Sequence, residues 1–300
     1  MRVRFWGVRG SLPAPGPDTV RYGGNTSCIE VLSDSGDRII LDGGTGIRPL
    51  GLELAARSPM DCVVFVTHTH WDHIQGLPFF VPLFIPGNRV TIHGPPDPVN
   101  MRGMECVLEI QMAYPYFPVR KTELQADIVF ETLAEGQCVE RGALRVTSIL
   151  MNHSSFNLGY RVDDVEQGTS LFFTGDHEPF ANIYSPEEDG FAEYQEAVDG
   201  RNARLDALVA GVDLVVADAQ YTESEYPTRR GWGHTAMPQA VEFALRAGAT
   251  QILLTHHETA RSDSELDALL VELRQRYAGS GIDIDFAREG GIVEPASRGS

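Results

Sequence analysis

Between residues 63 and 73 the chain passes from an apolar run, Val63-Val64-Phe65-Val66, directly into Thr67-His68-Thr69-His70-Trp71-Asp72-His73. Three imidazoles and a carboxylate crowded into so short a stretch are costly to desolvate together unless a partner charge or a metal ion compensates them. The apolar run reads as a strand. Alternation continued past its end sends His68 and His70 to one side, and a helix starting near Asp72 brings Asp72 and His73 to the same centre. Imidazole and carboxylate together suit zinc, manganese or iron. Two such ions about 3.5 to 4 Å apart can share one hydroxide.

A two-ion site needs more ligands than this cluster holds. His153 follows the apolar run Val146 to Leu150, and His256 and His257 follow Ile252 to Thr255. Asp176 closes the run Phe172-Phe173-Thr174-Gly175-Asp176. A lone histidine at a strand end is more often a capping or core residue than a ligand. Beside a six-residue cluster that lacks ligands, His153, Asp176 and one of the pair His256/His257 become the candidates to complete it.

The remaining pattern places short strands at Val3 to Trp6, Ser27 to Leu32, Arg38 to Leu41, Cys62 to Val66, Val90 to His93, Ile128 to Glu131, Leu144 to Leu150, Leu158 to Val162, Ser170 to Thr174, Leu214 to Ala217 and Ile252 to Thr255. Helical spacing appears over Ile47 to Arg57, Phe191 to Ala210, Thr235 to Ala247 and Ser264 to Tyr277. Strand groups interleaved with helices predict an α/β (α+β) fold of two sheets packed face to face with helices outside, and 300 residues suit one domain. Residues 100–125, with Tyr114-Pro115-Tyr116-Phe117-Pro118, read as an aromatic lid or as a surface loop.

No apolar run approaches the roughly 20 residues that span a bilayer, so no membrane association is expected. The opening Met1-Arg2-Val3-Arg4 is not an apolar signal segment, and a cytoplasmic protein is expected. Cys28, Cys62, Cys106 and Cys138 are widely spaced, which predicts buried thiols in a reducing compartment rather than disulfides. A net charge of −18 opposes binding of a long polyanion, so long nucleic acid is disfavoured as a partner. A metal pair, adding about +4 locally, still draws a small anion into one pocket.

These motifs resemble the metallo-β-lactamase superfamily across nearly the whole chain. His68, His70, Asp72 and His73 are similar to its HxHxDH motif, and His153, Asp176 and His256 to its later motifs. The resemblance implies a four-layer αββα sandwich. It implies one divalent ion on His68, His70 and His153 and another on Asp72, His73 and His256, bridged by Asp176, with Zn2+, Mn2+ or Fe2+ as the metals. His256 is preferred to His257 because it directly follows the strand.

Within the superfamily the chain resembles the tRNase Z and cyclic-phosphate phosphodiesterase branch. Gly233-His234-Thr235 is similar to that branch's HST motif, and Val215-Val216-Ala217-Asp218-Ala219 to its HEAT motif, with Asp218 in place of a glutamate. Phe5-Trp6-Gly7-Val8-Arg9-Gly10-Ser11 and Tyr22-Gly23-Gly24-Asn25-Thr26-Ser27 are also similar to small members of the branch. The interval Glu178 to Asp213 is acidic where the tRNA enzymes carry a basic arm, and the interval from Asp176 to His256 is too short for the extra domain of the longer nucleases.

The implied activity is therefore hydrolysis of a small cyclic or nucleotide-type phosphodiester. The resemblance implies that a metal-bridging hydroxide attacks phosphorus, Asp72 accepts its proton, and His234, oriented by Asp218, protonates the leaving oxygen. Rival readings are a thioester or lactone hydrolase of the same fold and a non-catalytic metal-bound sensor. Whether the chain pairs as a homodimer is left open.

Overall fold

In the computed structural model, which describes residues 1–296, the β-rich first part of the chain forms β1 (Arg2–Gly7), β2 (Cys28–Leu32), β3 (Arg38–Leu41), β4 (Asp61–Phe65), β5 (Arg89–Gly94) and β6 (Asp127–Thr132), side by side in one sheet. The second sheet runs through β7 (Cys138–Arg141), β8 (Leu144–Met151), β9 (Asn157–Asp164), β10 (Thr169–Phe173), β11 (Leu214–Asp218), β12 (Gln251–Thr255) and β13 (Asp283–Phe286). A short β14 (Ile292–Val293) returns to the first sheet and pairs antiparallel with β1. Strands β3 to β6 are parallel to one another, as are β10 to β13. The antiparallel hairpins occupy the other flank of each sheet.

Alternation along the strands divides the apolar residues into three layers. Val63 and Phe65 of β4 face Leu171 and Phe173 of β10, Leu214 and Val216 of β11 and Leu253 of β12 in a layer between the sheets. Their neighbours Cys62, Val64 and Val66 turn outward, onto Ile47, Leu50 and Leu54 of α1 (Ile47–Ala55). Phe172, Val215, Ala217, Ile252 and Leu254 turn outward on the second sheet, beneath α4 (Phe191–Val209), α5 (Met237–Ala247) and α6 (Asp263–Arg276). A strand buried on both faces reads as a continuous apolar run. Three buried layers between four structural layers make the αββα sandwich.

Several local expectations change. Strand β4 ends at Phe65, so His68 and His70 lie in the loop beyond it and strand alternation does not orient them. The helix expected near Asp72 is a single turn, α2 (Trp71–Ile74). Helix α5 starts at Met237 with Ala236 as its cap, leaving His234 and Thr235 in the preceding loop. Strands β7, β13 and β14 escape the sequence pattern because they are short edge or near-edge strands with few apolar residues.

Residues 100–125 hold a helix, α3 (Met104–Gln111), anchored on the outer side of the first sheet by Met104, Val107, Leu108 and Met112. Phe117 packs edge-on against Phe79, whereas Tyr114 and Tyr116 are exposed. Cys28 and Cys62 are buried thiols, but Cys106 is half-buried and Cys138 exposed. The expectation of four buried thiols fails at Cys138 because its strand is the edge of the second sheet. No helix among the described residues is long and apolar enough to cross a membrane.

Hydrogen bonds from β9 tie the two sheets together directly beneath the histidine cluster, the Leu158 N–H donating to the Thr67 carbonyl at 2.9 Å. The Tyr160 hydroxyl, from β9, donates to the Val66 carbonyl at 2.6 Å, and both residues are fully buried. Tyr160→Phe leaves that carbonyl without its donor in a dry layer, and a loss of about 1–3 kcal/mol is expected. Urea unfolding of the metal-free protein measures it; an unchanged midpoint would show that the bond contributes nothing net.

Candidate metal centre

The histidine loop is held from behind by one carboxylate. Asp42 follows β3, is fully buried, and adopts a left-handed conformation with φ 66°. Its Oδ1 accepts from the Thr67 backbone N–H at 2.8 Å and from the Thr67 hydroxyl at 2.9 Å. Its Oδ2 accepts from Ser27 Oγ at 3.0 Å and lies 2.7 Å from His73 Nδ1. With Nδ1–H donated to Asp42, His73 turns Nε2 toward the centre. Sequence reasoning missed Asp42, since an aspartate before Gly43-Gly44 looks like an ordinary turn residue.

Asp176, in the loop after β10, lies at the middle of the cluster. Its Oδ1 is 3.1 Å from both His73 Nε2 and His256 Nε2. Its Oδ2 is 3.6 Å from His68 Nε2 and 3.8 Å from His153 Nε2. Asp72 Oδ2 lies 3.3 Å from His73 Nε2 and 3.1 Å from His256 Nε2, and accepts the Ser11 backbone N–H at 2.8 Å. On the other side, His153 Nε2 and His70 Nδ1 face each other at 3.1 Å. Donor atoms of His68, His70, His153 and Asp176 therefore fall within 4.8 Å of one another, as do those of Asp72, His73, Asp176 and His256.

His257 is elsewhere. Its Nε2 donates to the Ala287 carbonyl at 2.9 Å, and its ring lies edge-on to Tyr22 and Phe286. His256 reaches the centre because its backbone is left-handed, φ 58°, which sends successive side chains apart at the end of β12. Asn25 and Ser27 are committed to Glu289 and Asp42, and Thr26 to Thr45.

A third pair adjoins the cluster. Asp218, the last residue of β11, places Oδ2 2.9 Å from His234 Nδ1, and the same nitrogen is 3.9 Å from Asp176 Oδ2. Tyr221 sets its ring edge-on to His234, and the Arg229 guanidinium lies 5.1 Å above Tyr221.

Protonation divides the cluster in two. Burial lowers the pKa of His68, His70 and His153, which are neutral near pH 7. Burial pushes the same way at His73 and His256, but Asp176 and Asp72 outweigh it. They raise His73 well above its ordinary value and His256 to about 9. Asp72 and Asp176 are depressed below the usual carboxylate range: burial opposes this, and His73 and His256 override it. At His234, burial is outweighed by Asp218 and then Asp176, and the pKa rises.

The donor set fits divalent metal ions. His68 Nε2, His73 Nε2 and Asp176 Oδ1 are buried and have no hydrogen-bond partner, a combination that folded proteins rarely tolerate without a ligand. Three of the imidazoles have the second nitrogen committed outward: His73 to Asp42, His153 to the Gly233 carbonyl at 2.9 Å, and His68 Nδ1 3.1 Å from Thr67 Oγ1, whereas His256 Nδ1 is buried without a partner. Such bonds set the tautomer and aim of a metal-binding histidine.

Two packed mixed sheets, helices outside and a His/Asp cluster where the strands end are the architecture of a metallo-hydrolase. The chain belongs to the β-lactamase superfamily: the family described as "Beta-lactamase superfamily domain" matches residues 37–257. It is similar to a protein named ribonuclease Z from Haloarcula marismortui, with 27% identity over 310 aligned positions covering 93% of each chain. Among solved structures it resembles the metallo-β-lactamase fold protein YhfI from Bacillus subtilis, with a TM-score of 0.66 and 16% identity over 98% of this chain and 99% of that one. It also resembles a diphosphatase of the PhnP family, with a TM-score of 0.62 and 17% identity over 98% and 97% of the two chains. The protein is thus a metal-dependent hydrolase of the metallo-β-lactamase fold.

Two outcomes are expected. Asp42→Asn removes the carboxylate behind His73 and should weaken zinc binding about 10- to 100-fold in a chelator competition; unchanged affinity would make Asp42 purely structural. Zinc loading of metal-free protein at pH 7 should release at least about two protons, because His73 and His256 start protonated while His68, His70 and His153 do not, and any metal-bound water that ionises adds to the count. Above pH 9 the contribution of His256 should fade. Calorimetry in buffers of different ionisation enthalpy reads the number, and zero release would contradict the assignment of charge.

Proposed function

We propose that this hydrolase cleaves a small anionic phosphodiester, cyclic or nucleotide-type. One divalent ion is assigned to His68, His70 and His153, another to Asp72, His73 and His256, with Asp176 between them; zinc suits the donors best, and manganese or iron is tolerated. Bound there, the ions supply hydroxide near neutral pH and positive charge for the phosphoryl oxygens. Asp72, held by the Ser11 N–H, is the carboxylate placed to take up the proton of the attacking water.

The observation that carries the reading is the His234–Asp218 pair at 2.9 Å. Neither residue is required by the two ligand sets, yet together they form a proton donor beside Asp176. With Nδ1–H committed to Asp218, Nε2 of protonated His234 is the atom that gives a proton to the departing alkoxide. Such a general acid is worth typically 10²- to 10⁴-fold. A carbonyl substrate with a good leaving group has no use for it.

The relative named ribonuclease Z favours a second reading, an RNA substrate. Charge weighs against it here. The interval after Glu178 runs through exposed residues into α4, whose later turns pack on the second sheet through Leu205 and Val209. Its sequence is acidic, and the whole chain carries −18, which repels a polyanion.

Zinc- or manganese-loaded protein should hydrolyse bis(p-nitrophenyl) phosphate and cyclic nucleotides, and leave a structured precursor tRNA intact. His234→Ala should keep both metals and lose about 10²-fold or more on substrates with basic leaving groups. Absence of turnover at two bound metals would move the assignment to carbonyl substrates or to sensing; cleavage of the tRNA would restore the RNA reading.

A further inference from the structure

Glu178 is almost fully buried, two residues beyond Asp176, and no lysine, arginine or histidine forms an ion pair with it among the described residues. Its charge is met by neutral donors alone. Oε1 accepts from the Tyr226 hydroxyl and the Gly231 N–H, both at 2.8 Å. Oε2 accepts from the N–H groups of Gly231 and Gly233, both at 2.9 Å. A buried carboxylate is expensive unless its lone pairs are filled, and charge-assisted bonds of this kind are the strong ones. The carboxylate therefore pins the whole turn from Tyr226 to Gly233.

That turn is the part of the chain that touches both halves of the site. Gly233 has φ +87°, and a Cβ there would stand 2.2 Å from His153 Nδ1, so its backbone lies flat against the imidazole. Its carbonyl accepts from His153 Nδ1 at 2.9 Å. The next residue is His234. The Glu178 N–H itself donates to the Asn152 carbonyl at 2.9 Å, next to His153. The His177 N–H donates to Asp218 Oδ2, the oxygen that also faces His234. Thr235 Oγ1 donates to the His177 carbonyl. Residues 152–153, 176–178 and 226–235 are thus joined in one hydrogen-bond network, with the Glu178 carboxylate holding the 226–233 turn.

We propose that Glu178 is a positioning residue for proton donation: by pinning the Tyr226–Gly233 turn it sets the place of His234 relative to Asp218 and the leaving group. The inference rests on the phosphodiesterase reading and on His234 as the acid. Glu178→Gln keeps the size of the side chain but turns an NH2 group toward N–H donors. The turn then loses part of its hold, and the proton of His234 is delivered off target.

The test uses metal-loaded full-length protein and two diesters differing in the leaving group, methyl p-nitrophenyl phosphate and methyl phenyl phosphate. Phenolate is a basic leaving group, its conjugate acid near pKa 10 like a tyrosine, and needs a proton; p-nitrophenolate needs it far less. Glu178→Gln should lower kcat on the phenyl ester at least about 10-fold more than on the p-nitrophenyl ester, with KM and metal content unchanged. The double variant with His234→Ala should be no slower on the phenyl ester than His234→Ala alone. Equal losses on both esters, or losses that multiply in the double variant, would reduce Glu178 to general scaffolding. Should Glu178→Gln lose metal or fold, Tyr226→Phe, which removes one of the donors, must still show the leaving-group bias, and its absence would overturn the proposal. If His234→Ala shows no bias either, the acid assignment itself falls, and the positioning role with it.

Discussion

Asp176 meets His68 and His73 from one sheet and His256 from the other because the strands leading to these residues end at one rim of the sandwich. The inter-sheet layer of Phe65, Leu171, Phe173, Val216 and Leu253 fixes how far apart those strand ends are. A close-packed interior does not deform gradually, so the distances of 3.1 to 3.8 Å around Asp176 are inherited from the core rather than adjusted by the loops. The loops add direction. The geometry of the cluster at this rim depends on the hydrophobic layer beneath it as much as on the clustered residues themselves.

Around the histidine–aspartate cluster runs a second set of contacts that commits several of its remaining polar atoms. Asp42 holds His73, the Gly233 carbonyl holds His153, the Ser11 N–H holds Asp72, and Asp218 holds His234. Each bond removes a rotational choice from a side chain and leaves one atom facing inward. The resulting charge distribution is uneven. Neutral imidazoles gather around His70 and His153, and carboxylates with protonated imidazoles gather around Asp72 and His256, so the two halves of the centre start from different protonation states.

Much of this was legible along the chain, for definite reasons. The crowding of His68, His70, Asp72 and His73 has no inexpensive explanation without a metal, and the apolar runs before His153, Asp176 and His256 mark strand ends. The doubly buried strands announce themselves as continuous apolar stretches. By contrast Asp42 and Glu178 are single carboxylates in an acidic sequence, and nothing local separates them from solvated neighbours. The short strands β7, β13 and β14 carry too little periodicity to be seen.

Sequence by itself determined the chemistry available: which residues can bind a divalent ion, which strands are buried on both faces, and that the chain repels polyanions. Those properties follow from side-chain type and spacing, which are local. Tertiary structure parted the side chains of His256 and His257, through one left-handed residue at the end of β12 that sends the first to Asp72 and the second to Tyr22 and Phe286. It also decided that Glu178, Gly233 and His153 share one point, and that Asp42 stands behind His73. Such pairings join residues far apart in the chain, and only the packing of two sheets with fixed register brings them within hydrogen-bond distance.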